Sequence, residues 1–181
     1  MFKINQSEIE GCFEIIPKVF NDDRGSFVKV FHENIFQEAG LENNFAEEYY
    51  SKSFKGVIRG LHFQTPPDDH TKLVYCIDGS VYDVVVDLRI GSKTYGKFQA
   101  FNLNSRDANM IYIPSGLAHG FCSLSDLSTL VYKTSTVHSP SKDSGILWNS
   151  IGINWPCENP IISERDKSFI DFNSFKSPFN L

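Results

Sequence analysis

The sequence predicts a mostly β protein, a β-sandwich or barrel with a few short helices, in one domain of residues 1–181. Short runs rich in β-branched and aromatic residues recur along the chain, and turn signals separate them. Aromatic residues make up 14% of the chain, which favours strand-rich packing or a cavity with aromatic walls. Helical patterns, by contrast, are few, and we find no repeat or linker.

The predicted strands are the apolar runs between turn signals. In chain order they are Cys12–Val19, Ser26–Phe31, Leu73–Ile77, Val81–Leu88, Phe98–Leu103, Met110–Ile113, Gly120–Leu124 and Leu130–Thr134. The turns that separate them include Asn21–Asp23, Asp78–Gly79, Gly91–Ser92 and Pro114–Gly116. Within the segment Tyr82–Leu88 the alternation is imperfect, because Val85 has apolar neighbours on both sides. This pattern predicts a strand that is buried on most of both faces.

Two segments carry helical signals. Asn34–Ala39 is predicted to form a short helix that ends at Gly40. Ser163–Phe172 is predicted to form a second, with its first residue as N-cap and Asp166 three residues later. The aromatic tail Phe169–Phe175 is expected to dock on the body of the protein, because it would otherwise expose several large rings.

Composition and charge exclude some classes of function. The net charge is −5 and the pI is near 5.5, so the basic surface of a nucleic-acid-binding protein is not expected. No stretch is long and apolar enough to span a membrane, and the N-terminus lacks the apolar core of a signal peptide. The cysteines at positions 12, 76, 122 and 157 have no metal-ligand spacing. We therefore expect a cytoplasmic protein with no membrane or nucleic-acid partner.

The stretch Gly56–Gln64 places Arg59 and His62 in an otherwise apolar strand. A charged Arg is rarely buried without a partner, so these polar groups are predicted to line a cavity. For a lone histidine, a hydrogen-bonded core residue is the more common alternative.

Further segments combine with this stretch in a specific order. They are Asp22–Gly25, Lys72–Val74, Ile113–Phe121, Val131–Lys133, Leu147–Asn149, Ile153–Pro156 and Ser163–Asp166. The whole order, from about Phe13 to Asp166, resembles the dTDP-4-dehydrorhamnose 3,5-epimerase family. These motifs are specific because they combine rare residues at long, ordered separations.

The resemblance implies a cupin-type jelly roll, in which N-terminal strands cross between the subunits of a homodimer. Metal-binding cupins carry a His-x-His pair and a later Pro-x-Gly-x-x-His segment. Here the second motif is present as Pro114–His119, whereas the first reads His62-Phe63-Gln64 and lacks its second histidine. A catalytic metal is therefore not expected. The family reaction requires no nicotinamide or flavin either, so we expect no cofactor.

The family inverts the carbons that flank the ketone of a nucleotide-linked 4-keto-6-deoxy sugar, which requires a base and an acid on opposite faces of the ring. By resemblance, His62 is the base and Asp166 orients it. Lys72 neutralises the enolate oxygen, and Tyr132 donates the proton on the other face. Taken singly, Asp166 is better read as a capping-box acid, Lys72 as a strand-edge lysine and Tyr132 as a packing aromatic residue.

Substrate-binding positions are also implied by the resemblance. Arg24, Arg59 and His119 match positions that hold the diphosphate and sugar, and Arg165 matches a basic position. Taken singly, Arg24 could be a turn residue and Arg165 an exposed helix charge.

The nucleotide end departs from the family pattern. Lys29 stands where a Glu is usual, and Glu47-Glu48-Tyr49 replaces Gln-x-Asn. His138 corresponds to the Tyr that stacks on thymine, and Asp143 replaces a nearby Glu. We infer that the chemistry is kept, while the nucleotide could be dTDP, CDP or GDP and the inverted carbon could be C3, C5 or both.

Two other classes of function compete with the epimerase. One is a non-catalytic sugar-nucleotide-binding jelly roll, which would not need His62, Lys72, Tyr132 and Asp166 together. The other is a ketoisomerase of related fold, which would return the proton to a different atom. The family implies a role in cell-surface polysaccharides, such as O-antigen or capsule, or in glycosylated natural products.

Overall fold

The computed structural model of the chain describes residues 2–181. Its strands are β1 (Lys3–Gln6), β2 (Phe13–Ile16), β3 (Val19–Asp22), β4 (Gly25–Val28), β5 (Glu47–Phe54), β6 (Ile58–Gln64), β7 (Lys72–Asp78), β8 (Ser80–Asp87), β9 (Phe98–Asn104), β10 (Met110–Ile113), β11 (Leu117–Ser123), β12 (Leu127–Thr134) and β13 (Asp143–Gly145). The helices are α1 (Glu33–Glu38), α2 (Glu164–Lys167) and a 3-10 turn at Phe172–Ser174.

Two antiparallel sheets form a sandwich. One has the strand order β1-β2-β10-β7-β12-β5 and the other the order β13-β6-β11-β8-β9, while β3 and β4 pair only with each other. Buried side chains from both sheets, such as Val74, Leu130, Val85 and Phe121, form the core between them. The predicted mostly β sandwich of jelly-roll type, with few helices, is confirmed.

Strand β8 shows why its hydrophobic pattern is not a simple alternation. Val81 and Val85 pack in the core between the sheets, whereas Val84 and Val86 pack in a second cluster on the outer face. The C-terminal tail covers that outer face, where Phe179 contributes a buried ring. The prediction of a strand buried on both faces is confirmed. Phe172 and Phe175 of the tail also pack against this outer cluster.

Several element boundaries differ from the predicted ones. The predicted strand Cys12–Val19 ends as β2 at Ile16, because Pro17 has no N–H to donate to a ladder. Strand β3 begins at Val19 and extends into the predicted turn Asn21–Asp23. The predicted strand Ser26–Phe31 already ends at Val28. The strands β1, β5 and β13 were not predicted; β5 reads EEYYSKSF and lacks a run of β-branched residues.

The helices are shorter than predicted or shifted. Helix α1 spans Glu33–Glu38 and is followed by Gly40, whose φ of +70° suits the end of a helix. Helix α2 begins after Ser163 as predicted, but it ends at Lys167 rather than Phe172. None of the helices in residues 2–181 is long and apolar enough to cross a membrane.

Candidate active site

A cavity of about 360 Å³ is lined by side chains from both sheets. The five-stranded sheet contributes Arg59, His62 and His119, and the six-stranded sheet contributes Lys72 and Tyr132. The predicted binding residues His138, Asp143 and Arg165 also line it. Asp166 lies behind His62, and only Arg24 of the predicted site residues lies elsewhere.

An irregularity in β6 brings Arg59 and His62 to the same cavity. The two residues are three apart, so a regular strand would direct them to opposite faces. In the pairing with β11, His62 is opposite His119 and Arg59 is opposite Phe121, so β6 has one residue more than its partner here. This bulge reverses the alternation between the two side chains.

Glycines make this bulge possible. Gly60 has a φ of +142°, and a Cβ atom placed on it would lie 2.6 Å from the Cα of Gly120. A Cβ on Gly120 would in turn lie 2.7 Å from the carbonyl oxygen of Arg59. The two backbones therefore approach too closely here for any side chain at either position.

His62 and Asp166 form a hydrogen-bonded pair. The Nε2 atom of His62 lies 2.8 Å from one carboxylate oxygen of Asp166, and the other oxygen accepts the N–H of Gly60 at 3.1 Å. Ser163 caps α2 by accepting the N–H of Asp166, but the carboxylate does not return to the cap. Of the two hydrogen bonds of a capping box, only the one to the Ser163 hydroxyl is formed, and the Asp166 carboxylate points to His62 instead.

Electrostatics favour a neutral His62 beside an ionised Asp166. Burial lowers the pKa of His62 below its ordinary value, although the neighbouring carboxylate opposes this. Burial raises the pKa of Asp166, but the hydrogen bonds from His62 and Gly60 outweigh it and hold the pKa below its ordinary value. Because Nε2 donates to the carboxylate, Nδ1 carries the free lone pair. The ring of Phe169 packs edge-on against His62, with 5.7 Å between centroids.

Lys72 is buried in the wall opposite His62. Its Nζ atom donates to the carbonyl oxygen of His62 at 3.3 Å and so connects β7 with β6 across the sandwich. Burial lowers the pKa of Lys72 to about 8, and acidic groups at Asp143 and Asp83 oppose that shift. The ammonium group is therefore a poorly solvated charge next to the proposed base.

Tyr132 is a buried phenol on the same sheet as Lys72. Its hydroxyl lies 3.3 Å from the hydroxyl of Ser51, and its ring stacks on that of Tyr49 with 4.8 Å between centroids. The edge of His119 approaches it at 6.0 Å. Burial raises the pKa of Tyr132 far above its ordinary value, so its hydroxyl stays protonated at neutral pH and gives up its proton only to a strong base.

His119 is held by a buried carboxylate. Its Nε2 atom lies 2.9 Å from both oxygens of Asp83, and both side chains are almost wholly buried. Burial raises the pKa of Asp83, while the adjacent His119 lowers it. His119 therefore presents a fixed ring to the cavity.

The more open part of the cavity carries a charged network. Asp143 accepts from Arg165 at 2.7 Å and from His138 at 3.2 Å, and Glu47 accepts the backbone N–H of His138. The guanidinium of Arg165 also lies over the ring of Phe169. Three members of this network, Glu47, His138 and Asp143, depart from the family pattern, and the fourth, Arg165, matches its basic position.

Arg59 and Arg24 differ in their surroundings. Arg59 donates to the hydroxyl of Ser53 at 3.0 Å and to the carbonyl of Lys52 at 3.1 Å, which fixes its guanidinium at the cavity. Arg24 lies in the turn between β3 and β4, pairs with Asp22, and has a side chain that is 90% exposed. It does not reach the cavity of its own chain.

Side chains of β5 support the site. Tyr49, Ser51 and Ser53 alternate along β5 and contact the side chains of Tyr132 or Arg59; the sequence indicated Tyr49 only as a departure at the nucleotide end, and it did not indicate the two serines. Their spacing of two is the signal that could have identified them, had β5 been recognised as a strand. His70 also lines the cavity, and burial lowers its pKa to about 3. Across residues 2–181, no three His, Cys, Asp or Glu side chains cluster as metal ligands.

Comparisons with known proteins agree on one family. The family model described as dTDP-4-dehydrorhamnose 3,5-epimerase matches residues 6–174. The enzyme of that name from Shigella flexneri is 44% identical over 176 residues, which covers 94% of this chain and 97% of that protein. A dTDP-4-dehydrorhamnose 3-epimerase from Streptomyces niveus is 40% identical over 88% of this chain and 78% of its own.

A solved structure extends the likeness to three dimensions. The dTDP-6-deoxy-D-glucose-3,5-epimerase from Legionella pneumophila, in complex with dTDP-4-keto-L-rhamnose, superposes with a TM-score of 0.93. The two sequences are 32% identical, and the match covers 97% of this chain and 95% of the Legionella chain.

Proposed function

The chain belongs to the dTDP-4-dehydrorhamnose 3,5-epimerase family, and from this premise we propose which residues carry out its reaction and how. It is an isomerase that epimerises a dTDP-linked 4-keto sugar in deoxysugar biosynthesis. His62, oriented by Asp166, removes a proton from a carbon next to the ketone. Lys72 stabilises the enolate oxygen, and Tyr132 returns a proton on the opposite face.

The observation that carries this proposal is the placement of base and acid on different sheets. His62 extends from β6 and Tyr132 from β12, and the cavity lies between them. A sugar ring bound there would have the imidazole on one face and the phenol on the other, as inversion requires. A binding module would need neither group.

The protonation states suit these roles. His62 is neutral at neutral pH because burial lowers its pKa, so Nδ1 can accept a proton. The imidazolium that results is stabilised by the carboxylate of Asp166 at 2.8 Å. Tyr132 holds its proton against water but can give it to an enolate carbon, which is a far stronger base. Charge on the enolate oxygen is met by the partly desolvated ammonium of Lys72.

The remaining residues are proposed to bind the substrate. Arg59 and Arg165 offer planar guanidinium groups that match the geometry of a diphosphate. His119 presents its ring to the sugar, and His138 with Asp143 forms the nucleoside end. The relatives described above are named for dTDP sugars, which favours dTDP over CDP or GDP as the nucleotide.

Solvent exchange tests this function directly. The enzyme is incubated in heavy water with dTDP-4-keto-6-deoxyglucose, and deuterium in the sugar is counted by mass spectrometry and located by NMR. We expect uptake at C3, C5 or both, together with inversion, and loss of both in His62→Ala. Nucleotide binding without any uptake would overturn the epimerase and leave the binding module. Movement of the carbonyl would identify a ketoisomerase instead.

We also propose a homodimer in which Arg24 reaches the cavity of the partner subunit. The hairpin β3–β4 pairs with neither large sheet and exposes Phe20 and Phe27, while the edge strand β5 exposes Tyr50 and Phe54. Such aromatic patches are typical of interfaces. The geometry supports this proposal because Arg24 cannot act in its own cavity.

Subunit mixing tests the dimer. Arg24→Ala and His62→Ala are each expected to be nearly inactive alone. In a mixed dimer, one of the two cavities would combine an intact His62 with the partner's Arg24, so each mixed dimer should have up to about half of the wild-type activity. Random co-refolding of equal amounts makes about half of the dimers mixed, so the mixture should recover up to about a quarter of the wild-type activity. Absence of any restoration, with dimers present by light scattering, would contradict an exchange of Arg24 between subunits.

A further inference from the structure

We propose that Tyr49 is a positioning residue for Tyr132, and that its ring decides whether an enolate is protonated with inversion or returns to substrate. This inference rests on the function proposed above. It concerns a residue that contacts the acid rather than one that transfers a proton.

The two tyrosines face each other across neighbouring strands. Tyr49 on β5 is the direct register partner of Tyr132 on β12. Their rings are stacked with an interplanar angle of 14° and a centroid separation of 4.8 Å. Such a pair has a definite relative orientation, because offset stacking is favoured over other arrangements of aromatic rings.

Tyr132 also packs in the buried cluster between the sheets, and its hydroxyl has one weak partner. The hydroxyl of Ser51 is 3.3 Å from that of Tyr132, which is long for an O–H···O hydrogen bond. The ring of His119 is steeply inclined to that of Tyr132, with 6.0 Å between centroids, so it does not stack on it as Tyr49 does. Because β5 is the last strand of its sheet, no further strand of this chain lies beyond Tyr49 to replace it.

The hydroxyl of Tyr49 is not needed for this role. Burial raises its pKa to about 12, and the acidic side chains of Glu47 and Asp143 add to the effect, so the group is a neutral phenol. No hydrogen bond to it is formed by any of residues 2–181. The contact with Tyr132 is made by the ring alone, which Tyr49→Phe would keep.

The orientation of Tyr132 controls the fate of the enolate. Abstraction by His62 does not involve Tyr132, whereas inversion requires its hydroxyl to be close to the opposite face of the carbon. If the phenol is displaced, the enolate is instead reprotonated from the side of His62 and no inversion occurs. The His62 side chain is 28% exposed, so its proton can exchange with solvent before it returns.

The test compares exchange with inversion at early times in heavy water. For each variant, deuterium is measured in recovered, uninverted substrate and in epimerised product. In Tyr49→Ala and Tyr49→Leu, we expect the ratio of inversion to exchange to fall roughly 10- to 100-fold. Because Tyr49 also lines the cavity, the ratio is compared at saturating substrate, where weaker binding affects exchange and inversion alike. In Tyr49→Phe, we expect the wild-type ratio.

Tyr95 provides a matched control. It is 39% exposed, close to the 42% of Tyr49, packs against Phe172, and does not line the cavity. Tyr95→Ala should therefore leave the ratio unchanged, even if it lowers the melting temperature. If a substitution at Tyr49 only destabilised the fold, exchange and inversion would fall together and their ratio would stay at the wild-type value.

Each outcome decides the inference. An unchanged ratio in both Tyr49→Ala and Tyr49→Leu, with wild-type exchange, would overturn it and leave the epimerase function intact. Loss of inversion in Tyr49→Phe would also overturn it, because the Tyr49 hydroxyl would then take part in the chemistry. Absence of exchange in the wild-type protein would refute the proposed function itself.

Discussion

Replacing Asp166 with Asn is expected to be more damaging than replacing it with Ala. The carboxylate accepts two hydrogen bonds with its two oxygens, one from His62 and one from Gly60. An Asn has one oxygen and one NH₂ group, so it can satisfy only one of these donors. If its oxygen accepts from Gly60, its NH₂ faces Nε2 of His62 and moves the imidazole proton to Nδ1, which is the atom needed as the base.

The magnitude follows from these contacts. Loss of a charge-assisted hydrogen bond at 2.8 Å corresponds to about 1.5–3 kcal/mol, or about a 10- to 150-fold decrease in rate. This is the loss expected for Asp166→Ala, where water can accept from both donors. Asp166→Asn adds the wrong tautomer, and the equivalent change in a Ser–His–Asp triad lowers kcat on the order of 10⁴-fold.

The pH profile supplies an independent readout. The carboxylate raises the pKa of His62 against the effect of burial, so its removal should lower that pKa further. Activity requires neutral His62 and rises as pH rises through this pKa. The acidic limb of kcat/KM should therefore move to lower pH in both variants, even though the plateau falls.

The assay is kcat/KM over pH for wild type, Asp166→Ala and Asp166→Asn, with thermal melts to confirm folding. Higher activity in Asn than in Ala would refute the tautomer argument. An acidic limb that moves to higher pH would show that Asp166 does not stabilise the imidazolium.

Three further predictions concern the surroundings of the site. Lys72→Ala should lower kcat about 100- to 1000-fold. Wild-type activity should decline as pH rises through about 8, where Lys72 loses its charge. If the same decline is seen in Lys72→Ala, another group causes it. Asp83→Ala should lower the free energy of unfolding, measured by urea denaturation, by about 3 kcal/mol, because it leaves His119 buried without its partner. A change within experimental error would mean that the pair makes no net contribution to stability. Ser163→Ala should lower the free energy of unfolding by about 1 kcal/mol. It should also lower kcat, with a smaller change in KM, because the cap orients the turn that carries Asp166. A wild-type kcat in this variant would show that the cap contributes to stability but not to catalysis.

Most of the fold could be predicted from local patterns. Strands such as β8 and β10 are rich in β-branched and aromatic residues and lie between turn residues, and this signal lies within each segment. Strand β5 was missed because its residues are mostly polar. It is an edge strand, half of whose side chains face outward, and its assignment depends on pairing with β12 rather than on its own composition.

The candidate site was predicted by residue type but not by geometry. The motifs identified His62, Lys72, Tyr132 and Asp166 as the chemical groups, and the structure places three of them around one cavity with the fourth behind His62. Strand periodicity would have separated Arg59 from His62, and only the bulge opposite β11 unites them.

What the sequence by itself determined is the class of fold and the set of candidate reactive groups, because strand propensity, turns and rare motifs are properties of short segments. Only the tertiary structure decided that the Asp166 carboxylate leaves its helix cap for His62, a partner 104 residues away. It likewise placed Tyr49 on Tyr132 and kept Arg24 out of its own cavity. The physical reason is that the partner a side chain binds depends on distance and burial, and residues far apart in sequence come within contact distance only in the folded chain.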